Sequence, residues 1–175
     1  MFSTTRGGKY GRVLVTIKLS LRPMTMTEEN TSVQRFLNGK GCSQAVLTQF
    51  CEQFGLDELT ALKISSGFPA GMQMAGICGA VTGAYMVLGL RFADQESSTS
   101  AGRKKVYEAV AEFTRRFKQR HTTLDCRELL GCNIMTPEGK EIAGDKNLFK
   151  TVCPNFVEDA AIIVQELIEI DDHKQ

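Results

Sequence analysis

The sequence predicts an all-α protein, a compact bundle of about five to seven helices around a buried central helix rich in glycine and alanine. Two observations lead to this fold class. From position 31 onward, apolar side chains recur three or four residues apart, which is the period of an amphipathic helix. Glycine, proline and helix-capping residues separate these segments, and no convincing pair of strand-like segments occurs.

The first 27 residues differ from the rest of the chain. They carry five basic side chains and no acidic one, and their short β-branched run, VLVTI at 13–17, is cut off by Lys18. That run is shorter than the roughly 7–15 apolar residues of a secretory signal. We therefore expect residues 1–27 to be a disordered basic extension or a mis-assigned start, with Met24 or Met26 as the real beginning. Residues 28–175 are expected to form a single helical domain.

The first part of this domain is predicted to contain three helices. The glycine-containing segment NGKG at 38–41 ends the first, Gly55 ends the second, and Asp57 is suited to be the N-cap of the third. The predicted helices cover about residues 32–37, 42–54 and 57–66. The glycines and proline of GFPAGMQMAG, residues 67–76, predict a loop after them.

The second part begins with the segment CGAVTGAYMVLGL at 78–90, which is the predicted buried central helix. A polar linker and a clearly amphipathic helix follow, and then a short helix after the N-cap Asp125. The linker covers residues 94–102, the amphipathic helix 103–119 and the short helix 126–131. An irregular stretch is expected at 133–150 and a last helix at 154–170.

Charge and hydropathy exclude several classes of function. Residues 28–175 carry 16 basic and 20 acidic side chains, which argues against a nucleic-acid surface. The apolar segment 77–90 ends at Arg91 and is shorter than the roughly 18 residues of a membrane span. Because no export signal is recognised, we expect a cytoplasmic protein in which structural disulfides are not the default.

Four of the six cysteines fall at or next to predicted helix N-termini: Cys42, Cys78, Cys126 and Cys153. The free N–H groups and the dipole of a helix N-terminus favour a thiolate there. Four thiolates gathered together would repel one another unless a cation or a cluster neutralised them, and four-cysteine sites hold zinc or iron–sulfur centres. Two dithiol/disulfide pairs are the alternative. No C-x-x-C motif is present, so the spacing does not choose between these options.

Two glycines after Cys78 indicate a close helix contact. Gly79 and Gly83, with Ala80 and Ala84 beside them, give the central helix a smooth face. Glycine costs about 1 kcal/mol relative to alanine inside a helix. We expect this cost to be offset by the close approach of other cysteine-bearing helix ends, although an ordinary tight helix crossing would use the same face.

Three further residues, two cysteines and a histidine, are not assigned to the site. Cys51 lies beside an apolar helical stripe, which predicts core packing, and Cys132 follows a helix-ending glycine and is left out of the site. His121 lies in a polar stretch five residues before Cys126 and is interpreted as a surface residue.

Several segments resemble the C_GCAxxG_C_C family of redox-active proteins. They occur in the family's order over about residues 30–170: GCSQAVL (41–47), GFPAGM (67–72), CGAVTGAYMVLGL (78–90), CRELLG (126–131), then Cys153 and FVEDAAIIVQEL (156–167). The family's four cysteines fall on the four selected above, and its motif glycines fall on Gly79 and Gly83. The resemblance implies a small helical redox protein, with residues 28–175 as the redox domain.

A more distant similarity to the iron–sulfur-binding part of split-Soret cytochromes favours a cluster over zinc, although this chain lacks haem-attachment motifs. The first hypothesis is therefore an iron–sulfur cluster bound by Cys42, Cys78, Cys126 and Cys153, used for electron transfer or redox sensing. A metal-free protein in which the same cysteines are catalytic in thiol–disulfide exchange is the second, and a structural zinc-binding interaction module is the third. We expect an electron donor or acceptor protein as partner; formation of a homodimer is left open.

Overall fold

The computed structural model describes residues 31–173, and the expectations for residues 1–27 lie outside this range. The described part contains nine α-helices, the isolated bridge between Ile77 and Asp125, and no β-strand. The all-α prediction is confirmed. The helices are α1 (Ser32–Leu37), α2 (Cys42–Phe50), α3 (Glu58–Ser65), α4 (Gly79–Phe92), α5 (Lys104–His121), α6 (Cys126–Leu130), α7 (Pro137–Asp145), α8 (Leu148–Thr151) and α9 (Cys153–Asp172).

The central helix α4 is the core of the molecule, as predicted. Five of its apolar side chains are completely excluded from solvent: Ala80, Val81, Ala84, Val87 and Leu88. It packs most extensively against α2 and also contacts α5 and α9. The closest crossing is at Gly83, where an added Cβ would lie 2.6 Å from the carbonyl oxygen of Ser43 in α2. The small face of α4 therefore lets the backbone of α2 approach.

Helices α5 and α9 cover the other side of α4. The amphipathic helix α5 buries Phe113 and Phe117 completely, and each such side chain contributes about 1.5–3 kcal/mol through removal from water. On its outer side, Arg116 forms an ion pair with Glu166 of α9 at 2.9 Å. Arg91 near the end of α4 forms an ion pair with Asp171 near the end of α9 at 2.7 Å. This ion pair joins the C-terminal ends of the two helices.

The second helix is shorter than predicted. Helix α2 ends at Phe50, and residues Glu52–Phe54 form a 3₁₀ turn instead of continuing the α-helix. Gly55 then adopts the left-handed conformation, with φ 77°, that suits glycine. The predicted stop at Gly55 is confirmed, whereas the helical geometry of the last turn is not.

The irregular structure predicted for residues 133–150 is wrong, because α7 and α8 occupy most of this range. This adds two α-helices to the expected number. The start of α7 follows capping rules, with the Thr136 side chain accepting a hydrogen bond from the Gly139 N–H and Pro137 in the first turn. Gly139 and Gly144 lower the helix propensity of the segment. Packing of Ala143 and Leu148 into the core offsets that cost.

None of the helices within residues 31–173 combines the length and the apolar character needed to cross a bilayer.

Candidate cysteine site

Each of the four selected cysteines lies at a helix start, as predicted. Cys42, Cys126 and Cys153 are the first residues of α2, α6 and α9, and Cys78 immediately precedes α4. The Asp125 side chain accepts hydrogen bonds from the N–H groups of Arg127 and Glu128 in the first turn of α6, as its predicted capping role requires. The four sulfur atoms therefore all lie at the N-terminal ends of helices.

The structure brings these four cysteines together on the wall of one cavity. The cavity has a volume of about 180 Å³. Cys78 and Cys126 are only 5% and 7% exposed, whereas Cys42 and Cys153 are half-buried. The remaining wall is almost entirely apolar and includes Pro69, Ala70, Ile134, Phe149, Phe156 and Val157.

A short backbone clamp places Cys78 and Cys126 side by side. The N–H of Cys78 donates to the carbonyl of Leu124 at 2.8 Å, and the N–H of Cys126 donates to the carbonyl of Gly76 at 2.6 Å. These bonds flank the isolated bridge between Ile77 and Asp125. The clamp therefore joins the starts of α4 and α6, which are far apart in the sequence.

Gly79 is needed because the Cys42 sulfur occupies the space beside it. A Cβ at position 79 would overlap the Cys42 Sγ, and it would lie 3.1 Å from the carbonyl oxygen of Phe68. The predicted close approach of a second cysteine-bearing helix end at Gly79 is thus present. At Gly83, by contrast, the approaching group is the α2 backbone rather than a thiol.

The loop before α4 contains a left-handed turn formed by residues 70–73. Ala70, Met72 and Gln73 all have φ of 57–58° and ψ of 24–38°, and Gly71 has φ 63°. Left-handed helical geometry costs roughly 1–2 kcal/mol for each L-residue with a side chain. Pro69 and Ala70 nevertheless form part of the cavity wall. Backbone strain of this kind is concentrated at functional sites in proteins.

Burial raises the pKa of all four thiols. Burial raises the pKa of Cys126 and of Cys153 to about 12, with further increases from neighbouring cysteines. Burial also raises the pKa of Cys78 well above its usual value, and repulsion from the other three thiols adds to this effect.

Cys42 differs from the other cysteines in its backbone environment. Burial raises the pKa of the Cys42 thiol, but the nearby backbone N–H groups of Ala70, Ser43 and Gly79 oppose that shift. These groups belong to the left-handed turn and to the first turns of α2 and α4. A negative charge on the Cys42 sulfur would therefore meet donors from three segments of the chain.

The structure places Cys132 near the site, although no sequence signal indicated this residue. Its side chain is 7% exposed, and its proximity adds slightly to the rise in the pKa of Cys126 and of Cys153 that burial causes. Because it follows the left-handed Gly131 rather than starting a helix, the signal that selected the other four cysteines is missing. Cys51 is completely buried in the core, as predicted.

The interpretation of His121 as a surface residue is wrong. Its ring packs against Phe117 and Phe156, with centroid distances of 4.6 and 5.0 Å. Its Nε2 lies 2.8 Å from Oδ2 of Asp159. Phe156 also lines the cysteine cavity, so His121 lies directly behind the cavity wall.

The donor set fits a thiolate-bound metal group, since four cysteines are the usual ligands of iron–sulfur clusters and of structural zinc. Within residues 31–173, no group of three or more Cys, His, Asp or Glu side chains is placed to hold a single metal ion. The four cysteines instead surround a cavity.

Comparison with known protein families identifies this chain. A family model described as "Putative redox-active protein (C_GCAxxG_C_C)" matches residues 41–167. The search of curated proteins and the search of solved structures returned no match. The matched residues make up more than half of the chain and include all four cysteines of the cavity. The chain therefore belongs to the C_GCAxxG_C_C family, whose members are described as redox-active.

Proposed function

We propose that Cys42, Cys78, Cys126 and Cys153 form one redox site that binds an iron–sulfur cluster, and that the protein transfers electrons or senses redox state. The observation that carries this proposal is the placement of four cysteines, each at a helix start, around one apolar cavity. Such a cavity would supply thiolate ligands to a cluster and would exclude water from it.

The arrangement of the cysteines favours a cluster over zinc. Zinc would require all four sulfur atoms at about 2.3 Å from one point. The described residues offer no such convergence, whereas a cluster has several iron atoms and is ligated from around its periphery. A single structural zinc ion is thus the weaker candidate for this cavity.

The raised thiol pKa values favour a metal group over metal-free thiol–disulfide exchange. A thiolate is the nucleophile in that exchange, and a thiol with a pKa of about 12, as at Cys126 and Cys153, is rarely ionised at neutral pH. Binding to a metal deprotonates a thiol directly. The same burial that makes these cysteines poor nucleophiles is compatible with their acting as ligands.

When bound, an iron–sulfur cluster supplies one-electron transfer, and hydrogen bonds to its sulfur ligands together with solvent exposure set the potential. In this chain the N–H groups of Ser43, Ala70 and Gly79 would donate to the Cys42 sulfur. The apolar wall would exclude water. We infer that an electron-transfer partner approaches from the side of Cys42 and Cys153, the two cysteines of the set that solvent reaches more readily.

The test is anaerobic production of the full chain, reconstitution with iron and sulfide, and measurement of iron, sulfide, zinc and the absorption spectrum. Serine replacements of each of the four cysteines should reduce bound iron and change the spectrum. Cys51→Ala is the matched control, because Cys51 is equally a buried thiol but belongs to the core, and it should retain iron. Absence of bound iron in the wild-type chain, or equal loss in Cys51→Ala, would overturn the proposal.

A further inference from the structure

We propose that residues 121–126 hold the starts of α4, α6 and α9 in one fixed arrangement, and that Asp159 and Thr122 are positioning residues of the cysteine site. Three of the four cysteines of the cavity lie at these helix starts: Cys78, Cys126 and Cys153. The inference rests on the proposed function in treating the four cysteines as one site. It adds the residues that keep three of them in place.

The first end of this segment is fixed to α9. Asp159 in α9 binds two side chains at the end of α5: His121 Nε2 lies 2.8 Å from one carboxylate oxygen, and Arg120 donates to the other. The His121 ring also packs on Phe156, which lines the cysteine cavity three residues after Cys153. The end of α5 is therefore joined to the first two turns of α9.

The other end of the segment is fixed to α4 and α6 by the backbone clamp. The Leu124 carbonyl accepts the Cys78 N–H at 2.8 Å, and the Gly76 carbonyl accepts the Cys126 N–H at 2.6 Å. Residues 122 and 123 alone lie between the end of α5 and this clamp. A displacement of the end of α5 would therefore move the backbone that holds Cys78 and Cys126.

Thr122, in the middle of this short connection, has an unfavourable conformation. Its φ is 64° and its ψ is −34°, and the Thr123 N–H donates to the His121 carbonyl at 2.7 Å. This geometry is close to the γ-turn with a positive central φ, which reverses the chain over three residues and is rare and strained. A β-branched residue with positive φ is itself an outlier. Such a conformation persists only where surrounding contacts compensate, and here they include the bond to Asp159 and the clamp.

Amide hydrogen exchange of the full, reduced, metal-free chain, followed at single amides by NMR, tests the role of Asp159. Asp159→Ala releases the end of α5, so the Cys78 and Cys126 N–H groups should exchange about fivefold faster relative to the N–H of Val87 in the core of α4. Asp159→Asn keeps an acceptor and should restore most of the wild-type ratio.

Glu166→Ala is the matched control for Asp159→Ala. The ion pairs of Glu166 also join α9 to α5, but they include no residue of the turn or of the clamp. The control should therefore leave the ratio of the exchange rates unchanged. An unchanged ratio in Asp159→Ala, whether or not all the rates rise together, would show at most a general loss of stability and would overturn the proposal.

A second pair of variants tests Thr122 without altering Asp159. Thr122→Ala removes the hydroxyl that donates to the His121 carbonyl but keeps a side chain at positive φ, whereas Thr122→Gly removes both. The Cys78 and Cys126 N–H groups should exchange about fivefold more slowly in Thr122→Gly than in Thr122→Ala. Equal or faster exchange in Thr122→Gly would show that the turn is not strained and would also overturn the proposal. Since no metal is present, neither measurement depends on whether the chain binds iron.

Discussion

The Cys42 sulfur fills the space that any side chain at Gly79 would need. Around the same point, the Phe68 carbonyl oxygen and the Pro69 Cα would lie 3.1 and 3.2 Å from an added Cβ. Backbone atoms of the preceding loop therefore also limit the space beside Gly79. A larger residue at 79 has to displace the sulfur, and this makes Gly79 a site residue rather than a general helix-packing residue.

Gly79→Ala should damage the site more than the fold. The substitution favours the helix by about 0.8–1 kcal/mol, but overpacking against Cys42 costs typically 1–3 kcal/mol. We expect unchanged helical content by circular dichroism together with reduced iron binding or an altered redox potential. Gly89→Ala in the same helix is the control, because an added Cβ there meets no other group within 4 Å. It should gain stability and take up as much iron on reconstitution as the wild-type chain; the same iron content and potential in Gly79→Ala as in wild type would contradict the prediction.

Gly83→Ala should damage the fold first. An added Cβ would lie 2.6 Å from the Ser43 carbonyl oxygen and 3.0 Å from its Cα, so α2 and α4 would have to separate along their crossing. We expect a loss of about 1–3 kcal/mol in the free energy of unfolding, measured by urea denaturation. Stability equal to that of Gly89→Ala would show that the crossing adapts at no cost.

His121→Ala should destabilise the protein by about 1–2 kcal/mol, because it removes two aromatic contacts and the hydrogen bond to Asp159. His173→Ala serves as the control, since His173 is exposed after the end of α9. Urea denaturation of both variants at neutral pH measures the difference. An equal, small effect in the two variants would assign His121 a surface role after all.

Stability of the metal-free protein should fall as the pH rises above about 9. The usual thiol pKa of 9.0 is raised to about 12 at Cys126 and at Cys153 in the folded chain. Between these values the folded state binds more protons than the unfolded state, so the free energy of unfolding decreases with pH. Each thiol contributes at most about 1.4 kcal/mol per pH unit.

A variant separates this effect from the titration of lysine and tyrosine. Cys153→Ala removes one of the two thiols and should reduce the slope of stability against pH between about pH 9 and 12. Denaturation curves of the wild-type chain and the variant, recorded at several pH values after removal of metal, give both slopes. Identical slopes would mean that the Cys153 thiol titrates alike in the folded and unfolded chains.

Local sequence signals were sufficient to predict the helix starts that carry the cysteines. Asp125 and Pro154 are capping and first-turn residues whose effect depends on their immediate neighbours, and both lie where these rules place them. Gly79 was likewise predicted to admit a close neighbour, although the sequence did not identify that neighbour as the Cys42 sulfur.

Features that depend on tertiary contacts were not predictable in this way. The clamp between residues 76–78 and 124–126 involves two segments with no strand-like pattern, and the left-handed turn places side-chain-bearing residues where only glycine is expected. Helix α7 forms despite two glycines, with Thr136 as its N-cap and Ala143 buried in the core. His121 lies in a polar stretch, and only the fold places it between two phenylalanines.

The positions of Cys42 and Cys153 have a consequence for biosynthesis. They belong to α2 and α9, near the two ends of the described chain, yet line the same cavity. A nascent chain emerging from the ribosome can cap α2 and cross it with α4 early, but it has only three of the four thiols until α9 has been made. A group held by all four thiols, as we propose, would therefore be acquired only after α9 has been made, and a product terminated before α9 would lack the Cys153 ligand.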